Sequence, residues 1–155
     1  MRGKVLTILG LIVAVGGCGG GAQLITGPDL LTYTATSQVT SNNPMRFSTT
    51  VTVTNETSQA ISFQPVCPIP RTVVYSNAAR TGTPVWDSNT RTPPPACTAT
   101  AVSLAAGKSV TYTLTATGAE VLGASGAAGT YYLIDEVTLS GVSTPVNAGQ
   151  VNLAR

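Results

Sequence analysis

The sequence contains no histidine, and only 9% of its 155 residues are charged. Histidine is the usual general base, so its absence excludes a Ser-His-Asp or Cys-His nucleophile relay. The only adjacent acids are Asp135 and Glu136, whose side chains point to opposite faces of a strand, so we expect a solvated pair and not a catalytic dyad. Without histidine or a C-x-x-C pair we also expect no metal and no cofactor. The sequence therefore predicts a protein that is not an enzyme.

Clusters of one charge sign are missing as well. From residue 18 onward the six basic residues are balanced by six acidic residues, and no run of Lys or Arg occurs. Nucleic-acid binding depends on clustered cations that contact phosphates. We therefore expect no nucleic-acid partner.

Aromatic residues make up 5% of the chain, and the small residues and β-formers that dominate suit strands and tight turns. The clearest pattern lies at residues 47–63. Apolar side chains alternate there with threonines, break at Asn55-Glu56-Thr57-Ser58, and resume at Ile61 and Phe63. This pattern predicts a β-hairpin with one buried face.

Further strand patterns recur every 8 to 12 residues, with no helical segment between them. A Gly/Ala-rich loop is expected at 118–129 and a turn at 141–145. We predict an all-β fold, an antiparallel immunoglobulin-like β-sandwich of seven or eight strands spanning residues 29–155. Apart from the hairpin, the predicted strands are residues 30–39, 72–75, 98–104, 109–117, 130–140 and 146–153.

The N-terminus has the organisation of a secretory signal peptide over residues 1–17. Arg2 and Lys4 precede an eleven-residue apolar run and two glycines. That run is about half of the 20 or so residues that span a bilayer, which disfavours a permanent transmembrane anchor. We expect this segment to be removed from the mature protein.

Val15-Gly16-Gly17-Cys18 resembles the bacterial lipobox, in which a cysteine after two small residues is lipid-modified and becomes the new N-terminus. The resemblance implies lipid attachment at Cys18 and a membrane contact through lipid alone. Residues 18–28, which are rich in glycine, are expected to form a tether. No Asp follows Cys18, which by analogy with lipoprotein sorting favours the outer membrane over the cytoplasmic membrane.

Cys67 and Cys97 remain once Cys18 is assigned to lipid. An exported protein meets an oxidising compartment, so we predict a disulfide between them, against the alternative of a redox or metal pair. Closing this loop of about thirty residues would stabilise the fold by roughly 3 to 4 kcal/mol. Within residues 78–95, the longest polar stretch, only Val85 and Trp86 are predicted to be anchored.

The order of several motifs resembles the BsuPI-like intracellular proteinase inhibitor family. The motifs are VTVTNETSQAISF, Pro84-Val85-Trp86-Asp87-Ser88, the segment LAAGKSVTY from Leu104 to Tyr112, and Gly129-Thr130-Tyr131-Tyr132. The resemblance implies an immunoglobulin-like domain and a possible inhibitory contact. The loop 68–96 would supply that contact, with Arg80, Trp86 and Arg91 as the candidate residues.

Three functions stay open at this point. The first is a lipid-anchored, non-enzymatic module that binds or scaffolds a partner in the bacterial cell envelope. The second is a proteinase inhibitor of the BsuPI-like type that acts on a protease through the 68–96 loop. The third is a hydrolase or carbohydrate-active module, which the single Trp and the lack of paired acids disfavour. Sugar binding would require a surface cluster of Tyr33, Trp86, Tyr131 and Tyr132.

Overall fold

A computed structural model of the chain describes residues 30–91, 97 and 99–155, which form nine strands and one short helix. The predicted signal peptide, the tether and Cys18 lie outside these residues. The only α-helix within them, α1, comprises Gly118–Leu122, and Ser88–Thr90 form a single 3-10 turn. The strands are β1 (Leu31–Asn42), β2 (Met45–Asn55), β3 (Ile61–Phe63), β4 (Arg71–Tyr75), β5 (Trp86–Asp87), β6 (Val102–Leu104), β7 (Ser109–Thr117), β8 (Gly129–Leu139) and β9 (Val142–Leu153).

All strand pairings are antiparallel, and they form two facing layers. One layer has the strand order β1-β2-β7 and the other β5-β4-β8-β9, while β3 and β6 pair with each other at one end. The alternation of apolar and polar residues gives each layer one apolar face, and those faces pack together. The predicted all-β antiparallel sandwich is confirmed, with nine strands in place of seven or eight.

The core between the layers consists of two apolar clusters. The first contains Phe47 and Leu114 from one layer and Leu133 and Val151 from the other. The second contains Val51, Val53, Val137 and Leu139, together with residues of β3 and β6. In β8, for example, every second residue from Tyr131 to Leu139 is buried, as the period of two requires.

Residues 47–63 do not form the predicted hairpin. They contain two strands, but β2 pairs with β1 and β7, whereas β3 pairs with β6. Both edges of β2 are therefore occupied, which leaves β3 no place beside it. The side-chain amide of buried Asn55 donates to the carbonyl oxygens of Gln59 (2.7 Å) and Leu104 (2.8 Å), and so fixes the turn that leads the chain out of the β2 ladder.

The two long hairpins are formed elsewhere in the chain. Asn43 and Pro44 connect β1 to β2. Ser140 (φ 48°) and Gly141 (φ 84°) form the two-residue turn between β8 and β9, and positive φ at both positions suits the twist of a tight hairpin. The predicted turn at 141–145 is wrong in extent, because β9 already begins at Val142.

Helix α1 corrects the predicted loop at 118–129. Thr117 precedes the helix, and its hydroxyl accepts a hydrogen bond from the backbone N–H of Glu120 at 3.1 Å. Val121 and Leu122 are buried in the first core cluster. An N-terminal cap and two apolar anchors are enough to hold one turn of helix in this otherwise β-structured chain.

A tyrosine contact at the start of β8 is characteristic of immunoglobulin-like sandwiches. The hydroxyl of Tyr131 donates to the carbonyl oxygen of Ala127, four residues upstream, at 2.7 Å. A tyrosine at this corner that bonds back to the preceding loop is a hallmark of such domains. The contact fixes the entry of the chain into β8.

Candidate functional site

The predicted disulfide between Cys67 and Cys97 is present, with a Cα–Cα distance of 5.8 Å. It joins the segment before β4 to the segment before β6, and so closes a loop that contains β4 and β5. Cys97 lines a small cavity of about 120 Å³ together with Ile69, Arg91 and Leu114. The disulfide therefore holds this loop beside β7.

Arg80 lies in the loop, but its guanidinium is bound within the domain. Its side-chain nitrogens donate to the carbonyl oxygens of Ala78 (3.1 Å), Leu133 (3.3 Å) and Gly149 (3.1 Å). Its guanidinium carbon also lies 5.5 Å from the centre of the Tyr132 ring, a cation–π contact. Arg80 thus connects the loop to the β8–β9 hairpin.

Arg91 is also bound. Its Nε lies 2.7 Å from Oε1 of Glu120 on α1, and its Nη1 donates to the carbonyl oxygen of Thr115 at 3.3 Å. The side chains of Arg91 and Glu120 are 25% and 29% exposed. Arg91 therefore joins the end of the described part of the loop to α1 and β7.

The aromatic candidates do not form a surface cluster. Trp86 and Tyr131 are buried in the first core cluster, whereas Tyr33 packs against the second. Trp86 is anchored as the sequence predicts, but Val85 is 39% exposed, so the prediction that it is anchored is wrong. The surface aromatic cluster that sugar binding would require is absent from these four residues.

Sequence analysis missed the buried polar cluster at the middle of the sandwich. Asp135 is 0% exposed, and its carboxylate oxygens accept hydrogen bonds from the hydroxyls of Thr49 (2.6 Å) and Thr72 (2.6 Å). The backbone N–H of Thr72 in turn donates to the hydroxyl of Ser88 at 2.9 Å. Thr49 lies on one layer and Thr72 on the other, so the Asp135 carboxyl links the two layers.

Burial raises the pKa of Asp135 above its usual range, and the two threonine hydroxyls only partly oppose that shift. The expectation of a solvated Asp135–Glu136 pair is therefore wrong for Asp135, although the two side chains do point to opposite faces. The sequence did contain a signal for this burial. Asp135 is two residues from both Leu133 and Val137, so it lies on the same, buried face of the strand.

An ion-pair cluster lies on the outer face of the other layer, where β4, β5 and β8 contribute Arg71, Asp87 and Glu136. Arg71 contacts both oxygens of Asp87, at 3.0 and 2.5 Å, and its Nη1 lies 2.6 Å from Oε2 of Glu136. The hydrogen bonds from Arg71 lower the pKa of Asp87 and hold it ionised. A bidentate arginine–carboxylate contact of this kind fixes geometry as well as charge.

The outer face of the β1-β2-β7 layer is lined by hydroxyl groups, and we call these nine residues the threonine face. The register places them in three rows across the strands, and in two rows hydroxyls pair across strands, Thr54 with Ser109 at 2.8 Å and Thr50 with Thr113 at 3.2 Å. Hydroxyl side chains carry no charge, and threonine is restricted at χ1, so the surface is uncharged and its side chains have few rotamers. The threonine face comprises Thr32, Thr34, Thr36, Thr50, Thr52, Thr54, Ser109, Thr111 and Thr113.

Within the described residues, no three His, Cys, Asp or Glu side chains lie close enough together to hold a metal ion. The same part of the chain contains no helix that is long and apolar enough to cross a membrane. The described residues present three candidate surfaces on the sandwich: the disulfide-closed loop, the ion-pair cluster and the threonine face.

No family model matches the chain, and no curated protein is similar to it. Among solved structures it resembles the ApaA protein of Bordetella pertussis, at 15% identity and a TM-score of 0.40, over 80% of this chain and 92% of that one. A structural-genomics target protein gives 13% identity and a TM-score of 0.37, over 83% and 89%. A β-glucosidase of Listeria innocua gives 14% and 0.37, where 77% of this chain covers 16% of the enzyme. The BsuPI-like resemblance stays a prediction.

Proposed function

We propose that the protein is a lipid-anchored, non-enzymatic module that binds or scaffolds a partner in the bacterial cell envelope. The observation that carries this proposal is the sequence Val15-Gly16-Gly17-Cys18 at the end of a short apolar run. Each acyl CH₂ that enters the bilayer contributes about 0.8 kcal/mol, so the several chains of a bacterial lipoprotein hold a small domain firmly. The residue after Cys18 is Gly19 and not Asp, which by analogy with lipoprotein sorting favours the outer membrane over the cytoplasmic membrane.

The threonine face is the surface that we assign to the partner. Its side chains are exposed or half-buried, and none of them carries a charge. An uncharged array of hydroxyl and methyl groups makes hydrogen bonds and dispersion contacts without the desolvation of ions. The loop residues are less accessible, because Trp86 is buried and Arg80 and Arg91 are already bound.

The anchor is tested by cell fractionation of Cys18→Ser. We expect the wild-type protein in the outer-membrane fraction and the variant outside the membranes, because the modified thiol is gone. Gly19→Ser is the matched control and should fractionate as wild type, whereas Gly19→Asp should move to the cytoplasmic membrane. If Cys18→Ser stays in the membranes, the lipid assignment is wrong.

The partner surface is tested by pull-down from envelope extracts. Thr52→Lys places a charge at the centre of the threonine face, and Thr138→Lys is the control on the outer face of the opposite layer; both threonines are half-buried on strands. We expect a partner that is lost with Thr52→Lys and kept with Thr138→Lys. No partner above background, or equal loss in both variants, would count against the assignment.

The second candidate is a proteinase inhibitor of the BsuPI-like type, and the Cys67–Cys97 disulfide favours it. A loop closed at its ends is pre-organised, which lowers the entropy cost of binding to a protease. Either arginine would have to leave its present contacts to enter a protease pocket. The test is inhibition of several serine proteases by the purified protein, with Arg80→Ala and Arg91→Ala; absent or unchanged inhibition would end this candidate.

A further inference from the structure

We propose that one end of the sandwich rests on the lipid bilayer, with Leu30, Val66 and Val142 in contact with the lipid. We call it the tether end, because the described chain begins there at Leu30, and this inference depends on the lipid anchor proposed above. Leu31 begins β1 and packs in the second core cluster with Leu139 and Ile61. The described part of the chain therefore begins at the end of the domain where this cluster lies.

The tether end is defined by contacts that bring distant parts of the chain together. Leu31 is in register with Asn55, and the backbone N–H of Asn55 donates to the carbonyl oxygen of Lys108 at 2.9 Å. On the other layer, the N–H of Ser140 donates to the carbonyl oxygen of Gln64 at 2.7 Å. The turn before β7, the β8–β9 turn and the segment after β3 are thus all at this end.

Three of the five exposed large hydrophobic residues in the described part of the chain belong to the tether end. Leu30 is 42% exposed, and it directly precedes β1. Val66 is 43% exposed, and its N–H donates to the carbonyl oxygen of Thr138 at 2.9 Å. Val142 is 42% exposed and pairs with Leu139. Single exposed apolar residues are common, but three on the side of the anchor point to a common surface.

The other two exposed residues, Val39 and Val85, lie elsewhere. Val39 pairs with Phe47, which belongs to the first core cluster, and Val85 bonds to Val74 beside β5. The charged side chains on the turns at the tether end are Lys108 and Glu56. These two charges balance, so the turns carry no net charge. The exposed apolar side chains, and not the charges, therefore distinguish this end from the rest of the domain.

The length of the connecting chain makes this contact possible. Residues 19–29 separate Cys18 from Leu30, and a chain of that length reaches at most about 40 Å when fully extended. An acyl anchor at Cys18 would keep the tether end at a high effective concentration near the bilayer. Three partly exposed side chains are too few to bind lipid alone, so docking should require the anchor.

Docking would orient the domain. The strands of both layers run between the tether end and the opposite end, where the Asn43-Pro44 turn and α1 lie. With the tether end on the bilayer, the threonine face stands along the membrane normal and stays open to a partner. The proposed binding surface and the proposed lipid surface therefore do not compete.

The test uses the full chain, purified in its acylated form and reconstituted in vesicles of phosphatidylethanolamine and phosphatidylglycerol that carry a spin-labelled acyl chain. An environment-sensitive fluorescent amino acid replaces Val142 in one protein and Val39 in the control; Val39 is 40% exposed and Val142 is 42% exposed. Circular dichroism establishes that both proteins fold. We expect the probe at 142 to be quenched at least twofold more than the probe at 39, and Cys18→Ser to abolish the difference.

Equal quenching at the two positions in acylated protein would overturn the docking inference and leave the anchor standing. A mass that shows no acylation would overturn the anchor and the docking together. The variant Val66→Ser with the probe at 142 adds a second measurement. A reduced difference between the two probe positions supports the three-residue contact, and an unchanged difference contradicts it.

Discussion

The two faces of strands β4 and β8 hold different kinds of acid. On the inner face the Asp135 carboxyl is bound by uncharged hydroxyls, and on the outer face Glu136 is paired with Arg71. In their ladder Thr72 is opposite Asp135, and one residue along Arg71 is opposite Glu136. The inner pair is fully buried and the outer pair is partly exposed. Asp135 and Glu136 are neighbours in sequence, but alternation places one in the core and the next at the surface. The face of the strand therefore decides whether an acid is desolvated, as Asp135 is, or paired with a cation, as Glu136 is.

The largest expected effect comes from removing the hydroxyls around Asp135. Thr49→Val with Thr72→Val leaves a buried carboxyl without its two donors, which should lower the free energy of unfolding by about 3 kcal/mol. Urea denaturation measures the loss. Thr52→Val with Thr111→Val, a facing pair on the threonine face, is the matched control and should change stability by no more than about 0.5 kcal/mol. If both double variants lost the same free energy of unfolding, the buried hydroxyls would be no more important for stability than the exposed ones, which would contradict the account.

Ionisation of Asp135 should make the sandwich less stable as pH rises. The folded state holds this proton more tightly than the unfolded chain, because burial raises the pKa of Asp135. Stability should therefore fall from the unfolded pKa of about 3.9 up to the raised folded pKa, and then level off. Asp135→Asn should abolish this slope, because the amide does not ionise. A wild-type slope retained in the variant would contradict the assignment.

The outer cluster should respond in the opposite direction. Arg71 lowers the pKa of Asp87, so this contribution is present above the unfolded pKa and is lost as pH falls through the lowered folded pKa. Arg71→Gln should cost about 1 kcal/mol at neutral pH, since partly exposed ion pairs are screened. The loss should shrink in high salt. A loss independent of salt would mean that packing, and not charge, holds Arg71.

The smallest effect is expected one residue from the most buried acid. Glu136→Gln leaves Arg71 its two contacts with Asp87, so stability should change by no more than about 0.5 kcal/mol. Thermal unfolding of Glu136→Gln beside Asp135→Asn compares neighbours that differ only in the face they occupy. If Glu136→Gln changed the stability more than Asp135→Asn, the buried acid would not be the more sensitive of the two, and the comparison between the faces would be wrong.

The strands were predictable because their residues alternate, as at Phe47, Val51 and Val53. The pairing of the strands was not predictable, since alternation shows which residues are buried but not which strand lies alongside. β2 has β1 and β7 on its two edges. Helix α1 has too few residues to show a helical period, although Thr117 and Glu120 form a T-x-x-E start signal. Short elements depend on tertiary contacts that local sequence does not contain.

The disulfide was predicted from two spare cysteines in a chain that we expect to be exported, whereas the buried acid was not expected. Acids in strands usually face solvent, so we expected Asp135 to be exposed although it shares a strand face with Leu133 and Val137. The contacts of Arg80 with the carbonyl oxygens of Leu133 and Gly149 span more than fifty residues of sequence. No local pattern shows that a loop arginine will bind backbone so far away in the chain.

The measurement that tests the account most directly is the intact mass of the mature protein from membranes. We predict residues 18–155 with acyl groups on Cys18 and with two hydrogens fewer for the Cys67–Cys97 disulfide. Reduction should restore the two hydrogens and leave the acyl mass in place. A mass that corresponds to the uncleaved chain, or to a cleaved chain without acyl groups, would contradict the lipid-anchored module.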